Sequence, residues 1–325
     1  MKRIRTIADI ATVRLGHAGD ADALTGCSVA IFEEGAVAAH IACGVASGSR
    51  ELPVFTPRHG VERVHGVCFS GGSAFGLAAA NGAMRALEER GIGHATSAAR
   101  VPLIAGAVIY DLALGDPLRR PDEAMGHLAA NAAFDAESHP SGNVGAGLGA
   151  TAGKLLGVAC ATKTGIGQAG VVADELEVAA LVVLNPVGDV RDIDGSIIAG
   201  ARKSPASPRL VDSAALIRSG AHAVATPDHN TTLVLVVTNA RLDRGLCQWI
   251  GEQAAVSLAR AIEPPFTRHD GDVAICASVG DHDAEPHRVG LLAREVVTAA
   301  IVDACRQAQP AGGLPNWKTL EQPAS

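Results

Sequence analysis

Asn230-Thr231-Thr232-Leu233-Val234-Leu235-Val236-Val237 is the stretch on which the reading of this chain turns. The segment before it, His222 to His229, has no regular pattern, whereas Leu233–Val237 is an unbroken apolar and β-branched run, the mark of a buried strand. A threonine at the head of such a strand, directly after an asparagine, suits a chain that cuts itself there. The Thr231 hydroxyl would attack the Asn230 carbonyl, the acyl group would move from nitrogen to oxygen, and water would hydrolyse the ester. The freed Thr231 would carry its own α-amine beside its hydroxyl. With an unperturbed pKa of about 7.7–8.0, that amine is suited to general-base work near neutrality. A threonine with its terminal amine is a recognised activated nucleophile. Cleavage would divide the 325 residues into 1–230 and 231–325. Alone, the dipeptide also reads as a loop asparagine ahead of a strand.

Upstream, Cys27–Phe32 and Ala36–Ile41 read as two strands of a hairpin turned by Glu33-Glu34-Gly35. His65–Ser70 is a further apolar run ending in Gly71-Gly72. Phe75–Arg90 has Leu77, Met84 and Leu87 on one side, Arg85, Glu88 and Glu89 opposite, and Gly91 as its stop, so a helix is expected. Val101–Leu112 is apolar and carries Tyr110, the single tyrosine; Asp122–Phe134 is Ala-rich and helical in pattern. Ser141–Gly170, dense in glycine, predicts loops and short strands. Val178–Leu184 predicts a strand running into the turn Asn185-Pro-Val-Gly188.

Residues 203–221 predict an exposed connection. Downstream of Thr231, Leu242–Ile262 and Val289–Ala308 predict helices, Asp272–Ser278 a strand, and Gln309–Ser325 a loose tail. Mixed strands and long helices without strict alternation imply α+β layers.

The bulk composition restricts the function. Hydrophobic residues make up 48% but aromatics only 3%, so Ala, Val, Leu and Ile fill the core. A net charge of -7 with no basic run argues against a nucleic-acid partner. The seven cysteines are widely spaced without a CxxC, as expected of small buried residues in a reducing cytosol. No signal-peptide pattern and no apolar stretch of about 18 residues is present, so neither secretion nor a membrane span is expected.

Two Gly-rich motifs imitate nucleotide sites. Gly165-Ile-Gly167-Gln-Ala-Gly170 spells GxGxxG, but β-branched residues follow where a helix should open. In Gly149-Ala-Thr-Ala-Gly153-Lys154-Leu155, a phosphate-loop pattern fails because Leu148 replaces the first glycine and Leu155 the metal-binding hydroxyl. No cofactor and no metal are expected: neither His269-Asp270-Gly-Asp272 nor Asp281–His287 has a metal-ligand pattern. Asp270 and Asp272 nevertheless stand out. Two carboxylates at the mouth of the apolar strand Val273–Cys276 are costly unless paired with a cation or used.

Taken together, these segments resemble the L-aminopeptidase/D-esterase family, which includes β-aminopeptidases and nylon-oligomer hydrolases and consists of self-processing, N-terminal-nucleophile-like enzymes. The resemblance runs from about Gly26 to Ala308. Its motifs, in order, are Ser70-Gly-Gly-Ser-Ala-Phe-Gly-Leu77, Ala107-Val-Ile-Tyr110-Asp111, Gly145-Ala-Gly-Leu-Gly-Ala-Thr-Ala-Gly-Lys154, Val183-Leu-Asn185-Pro-Val-Gly188, Asp228-His-Asn-Thr-Thr232 and His269-Asp-Gly-Asp272. Leu148 stands where the family usually has threonine.

The resemblance implies a four-layer αββα sandwich, one domain of two fragments, assembled as a homotetramer. It implies that Thr231 is the nucleophile and that Lys154 lies near its hydroxyl and amine, with Lys163 a rival for that role. Asp270 and Asp272 would orient Lys154 and the amine, and Asn185 and Tyr110 would donate to the oxyanion. The implied activity is that of an aminopeptidase on small peptides, amides or esters. The alternatives are hydrolysis of ω-amino acid oligomers and acyl transfer of the ornithine acetyltransferase kind.

Overall fold

A computed structural model describes residues 2–220 and 230–320. The irregular segment His222–His229, with Asp228 and His229 of the cleavage-site motif, lies outside the described residues, as does the end of the tail. Ten strands form one continuous hydrogen-bonded system. They are β1 (Lys2–Ile4), β2 (Val13–Asp20), β3 (Thr25–Ala42), β4 (Gly48–Arg50), β5 (Arg63–Ser70), β6 (Ile104–Val108), β7 (Ile166–Ala173), β8 (Leu176–Asn185), β9 (Thr231–Ala240) and β10 (Val273–His282). The order is β1-β7-β8-β9-β10-β3-β5-β6-β4, with β2 also on β3. The pairs β9–β10 and β5–β6 are parallel.

The expected hairpin at residues 27–41 is instead one strand. The first half of β3 pairs with β2 and β5, whereas its second half, Val37–Ala42, pairs with β10. The register with β5 slips between Ile31 and Ala36, and Gly35 there has φ +73°. Glu33-Glu34-Gly35 thus makes a bulge, not a reversal, because each half finds a different partner sheet. β3 thereby ties two sheets together.

Between the sheets lies a core of Leu15, Phe32, Val67 and Phe69 facing Leu181, Val183, Leu235 and Ile275. Helices α1 (Ala79–Glu89) and α2 (Glu123–Asp135) cover the outer face of one sheet through Ala83, Leu87 and Ala129 against Val29, Ile31 and Cys68. On the other sheet, α4 (Arg244–Ala261) and α5 (Pro286–Arg306) pack Ile250, Leu258 and Val297 against Val182, Val234 and Cys276. The layers are therefore αββα, as the resemblance implied. The helices begin where their caps dictate: Asp122, Asp243 and Glu285 each accept the backbone N–H three residues on.

Three other segments are more ordered than their composition predicts. The connection at 203–221 contains the short helix α3 (Ser213–Arg218), capped by Asp212. The tail packs as far as Leu320: Leu314 joins Leu24, Leu114 and Ala161 in a small core, Pro315 O accepts from Lys163 N at 2.8 Å, and buried Asn316 donates to Ala308 O at 2.6 Å. Two of the GxGxxG glycines, Gly167 and Gly170, lie in β7 and Gly165 just before it, with no helix after them. A Cβ on Gly167 would come within 1.9 Å of Ala300 O, so this glycine serves the contact with α5.

Candidate active site

Strand alternation aims the first residues of the site. Leu233, Leu235 and Val237 of β9 face the core between the sheets, and Thr231 is in phase with them. On β8, Leu181 and Val183 face the same core, and Asn185 continues that series directly opposite Thr231. Both are buried, Thr231 with 3% of its surface exposed. The Thr231 hydroxyl donates to the Asn230 carbonyl oxygen at 2.5 Å, so hydroxyl and preceding peptide bond are already in contact. That same oxygen accepts the Gly271 N–H at 2.7 Å, and Asn230 N donates to His269 O at 2.7 Å. Asn230 is thereby held as an isolated parallel bridge against the 269–271 segment.

Behind these strand heads, two turns clasp Asn185-Pro-Val-Gly188. On one side, Gly153 N and Lys154 N donate to Gly188 O and Val187 O at 3.1 and 3.0 Å. Gly153 has φ +78°, and a Cβ there would come within 1.9 Å of Ala201 N, so the glycine permits both the turn and the approach. The Lys154 ammonium donates to Thr151 O, Asn185 O and Pro186 O at 2.7, 3.0 and 3.1 Å. On the other side, Asp270 Oδ1 accepts from Val187 N at 3.3 Å, while its Oδ2 accepts from Thr267 N and Thr267 Oγ1 at 2.8 and 2.6 Å.

Asp272 accepts the Thr232 N–H at 2.5 Å, one peptide beyond the predicted nucleophile. Burial, and next the Asp270 charge, push its carboxyl well above the usual range, against the pull of the Thr232 N–H and the Lys154 cation.

Asn185 is oriented by three contacts: Oδ1 accepts from Thr151 N at 3.1 Å and Thr151 Oγ1 at 3.5 Å, and Nδ2 donates to Tyr110 O at 3.2 Å. Tyr110 reaches this group through its backbone carbonyl. Lys163 is paired with Thr151 across a short two-stranded ladder, but its ammonium points to other partners: fully buried, it donates to Gly147 O, Ala150 O and Thr164 O, and the charge acting on it is Asp111.

Sequence reasoning missed Thr267, the Gly271 N–H and the His269 carbonyl. Thr267 stands three residues before Asp270, the spacing of a local side-chain turn, and was legible on that ground. The two backbone groups carry no residue-type signal.

Four αββα layers, with a threonine heading a central strand, place the molecule among the N-terminal-nucleophile-like hydrolase folds. More narrowly, residues 5–316 match the model of Peptidase family S58, and the chain belongs to that family of hydrolases. It is 33% identical to an uncharacterised aminopeptidase of Mycobacterium leprae, covering 97% of this chain and 93% of that one. It is 30% identical to the 6-aminohexanoate-oligomer endohydrolase of Paenarthrobacter ureafaciens, over 91% and 84% of the two chains. Among solved structures, the β-aminopeptidase of Burkholderia sp. superposes with a TM-score of 0.70 at 20% identity, covering 98% and 92%. The L-aminopeptidase D-Ala-esterase/amidase of Ochrobactrum anthropi, described as a variant of the N-terminal-nucleophile hydrolase fold, does so at 0.68 and 16%, covering 95% and 88%.

Proposed function

We propose that the chain cleaves itself between Asn230 and Thr231 and then works as an aminopeptidase on small peptides and amides, through an acyl-enzyme on Thr231. The observation that carries this reading is the 2.5 Å contact of the Thr231 hydroxyl with the Asn230 carbonyl, which also receives the Gly271 N–H. A donor on the carbonyl oxygen polarises it toward attack. The Thr231 oxygen adds to the Asn230 carbon, the C–N bond breaks as nitrogen takes the hydroxyl proton, and water hydrolyses the ester to an Asn230 carboxylate.

In the mature site the freed amine takes the hydroxyl proton and passes it to the departing amine of the substrate; water then releases the acyl group. Lys154 and Asp272 set the field around the amine, Asp270 holds the Asn185 turn in place, and Asn185, its amide oriented by Thr151 and the Tyr110 carbonyl, serves the oxyanion. Lys154 is supported as the working lysine because its ammonium donates to the Asn185 and Pro186 carbonyls, whereas that of Lys163 is engaged by Gly147 O, Ala150 O and Thr164 O.

Small peptides and amides as substrates, a homotetramer of two-fragment protomers and a cytoplasmic location belong to the same reading. The location is supported by seven free cysteines; among the described residues no helix is long and apolar enough to cross a membrane. Intact mass tests the core of the proposal. Wild type should resolve into 230- and 95-residue fragments, and Thr231→Ala should stay a single chain. Two fragments from that variant would refute the assignment. Release of p-nitroaniline without an acceptor amine separates hydrolysis from acyl transfer.

A further inference from the structure

We propose that Asp189 is a positioning residue for self-cleavage: its buried carboxylate, while ionised, fixes the backbone strip that backs the turn carrying Lys154. This inference rests on the self-cleavage reading above. Asp189 follows directly on Asn185-Pro-Val-Gly188 and is fully buried. Its Oδ1 accepts the Ala201 N–H at 3.0 Å and the Ser213 hydroxyl at 2.8 Å, and its Oδ2 accepts the Ser213 N–H at 2.6 Å. One side chain thus gathers three stretches: its own, residues 200–201 and the start of α3.

The Lys154 turn lies between the first two of these. Against one wall, Gly153 N and Lys154 N donate to Gly188 O and Val187 O. Against the other, a Cβ on Gly153 would meet Ala201 N and Gly200 C, both at 1.9 Å, so residues 200–201 lie flush with the turn. Gly200 is in turn pressed on Asp189, where an added Cβ would come within 2.5 Å of Oδ1. Asp189 is one peptide bond from the first wall and one hydrogen bond from the second, so its carboxylate sets the gap in which the turn sits. That turn delivers the Lys154 ammonium to the Asn185 and Pro186 carbonyls. Asp189 therefore acts through Lys154, at one remove from the reacting atoms.

The brace needs the negative charge. The N–H groups of Ala201 and Ser213 can only donate, and they sit on different oxygens, so a proton on either oxygen weakens one of the two bonds. The charged neighbours are engaged elsewhere. Asp212 pairs with Arg191 at 2.8 Å, Arg202 donates to Ala159 O, Ala161 O and Pro205 O, and Lys154 donates to its three carbonyls. Glu263 stands opposite Asp189 on the paired strand. Burial pushes the Asp189 carboxyl up to about 6 against the pull of its three donors, and the Asp212 charge adds to the push. The brace is in place above that pH and released below it.

The test follows self-cleavage of full-length chain, freshly made by cell-free translation, across a pH series. Asp189→Asn keeps the size of the side chain and loses its charge, as protonation does in wild type. The ratio of wild-type to Asp189→Asn cleavage rates should be about tenfold or more well above pH 6, the scale of a hydrogen bond to a charged group, and should fall toward one well below it. Groups common to both proteins, Asp272 among them, cancel in that ratio. A ratio that is constant across the series marks a merely structural residue and overturns the inference, as does a ratio of one throughout. Ser213→Ala keeps the carboxylate but removes one donor from it. Its cleavage should match wild type well above pH 6 and fail at a higher pH than wild type on acidification. An acid limb that does not move overturns the inference even where Asp189→Asn does not fold. A wild-type chain that never cleaves overturns the self-cleavage reading itself.

Discussion

Lys154 and Lys163 stand nine positions apart, are both buried, and each spend their ammonium on three backbone carbonyls. What differs is the carboxylate each one faces. Asp111, the partner of Lys163, is already engaged by the Thr25 hydroxyl at 2.7 Å and the Gly72 N–H at 2.6 Å, and so ties β3 and the Gly71-Gly72 turn to the Gly-rich loops. Asp272, the partner of Lys154, sits on the Thr232 N–H at the head of β9. A cage of carbonyls therefore makes a buried lysine tolerable but does not make it catalytic; the strand that its counter-charge touches does.

The largest expected effect separates the two lysines directly. Lys154→Met should lower both cleavage and turnover by roughly 10³-fold in the fraction that folds, within the range of lost proton-transfer and charge support. A freely cleaving Lys154→Met would dissolve the contrast.

Lys163→Met should act on stability instead. It strips the shared donor from three buried backbone carbonyls, and a buried polar group left without its partner costs about 1–3 kcal/mol; the fraction that folds should still yield two fragments. A stable but uncleaved Lys163→Met would reverse the assignment.

The same variant carries a pH signature. Burial pushes the Lys163 ammonium down to about 7 from its ordinary 10.5, with Asp111 pulling back. Between those values the unfolded chain keeps a proton that the native state has lost. Native stability should therefore gain from this group as pH rises from 7 to 10.5, and lose that gain as pH falls through 7. Unfolding midpoints across that range should lose this slope in Lys163→Met.

The smallest effect sharpens the difference between the two aspartates. Thr267→Val removes one hydroxyl donor from Asp270 and should cost about 1 kcal/mol, with slower cleavage because the Asn185 turn is less firmly held. An unaltered cleavage rate would show that Asp270 does not need Thr267 to hold that turn.

Much of this was legible along the chain because it is local chemistry. The Ala-rich run from Asp122 and the apolar spacing after Leu242 announced their helices, the β-branched run announced β9, and the pair Asp270 and Asp272 stood out as costly charges at a strand mouth. The hairpin expected at Glu33-Glu34-Gly35 failed because the same three residues suit a bulge as well as a turn, and the choice lies with partner strands far away in sequence. The tail was misjudged because Leu314 and Asn316 bury themselves only against residues 24, 114, 161 and 308. Lys154 and Lys163 were both plausible because residue type and neighbouring glycines are alike for both.

By itself, then, the sequence determined which groups this protein has for chemistry and on which elements they ride: a threonine heading a buried strand, an asparagine ending another, two lysines among glycines and two carboxylates before a third strand. Only the tertiary structure decided which lysine faces which carboxylate, that Asp270 braces a turn while Asp272 meets β9, and that His269 and Gly271 hold Asn230 by backbone alone. The physical reason is that pairing across a sheet and charge placement in a buried site depend on distances between segments, and a main-chain donor or acceptor is present at nearly every residue and so leaves no mark in the sequence.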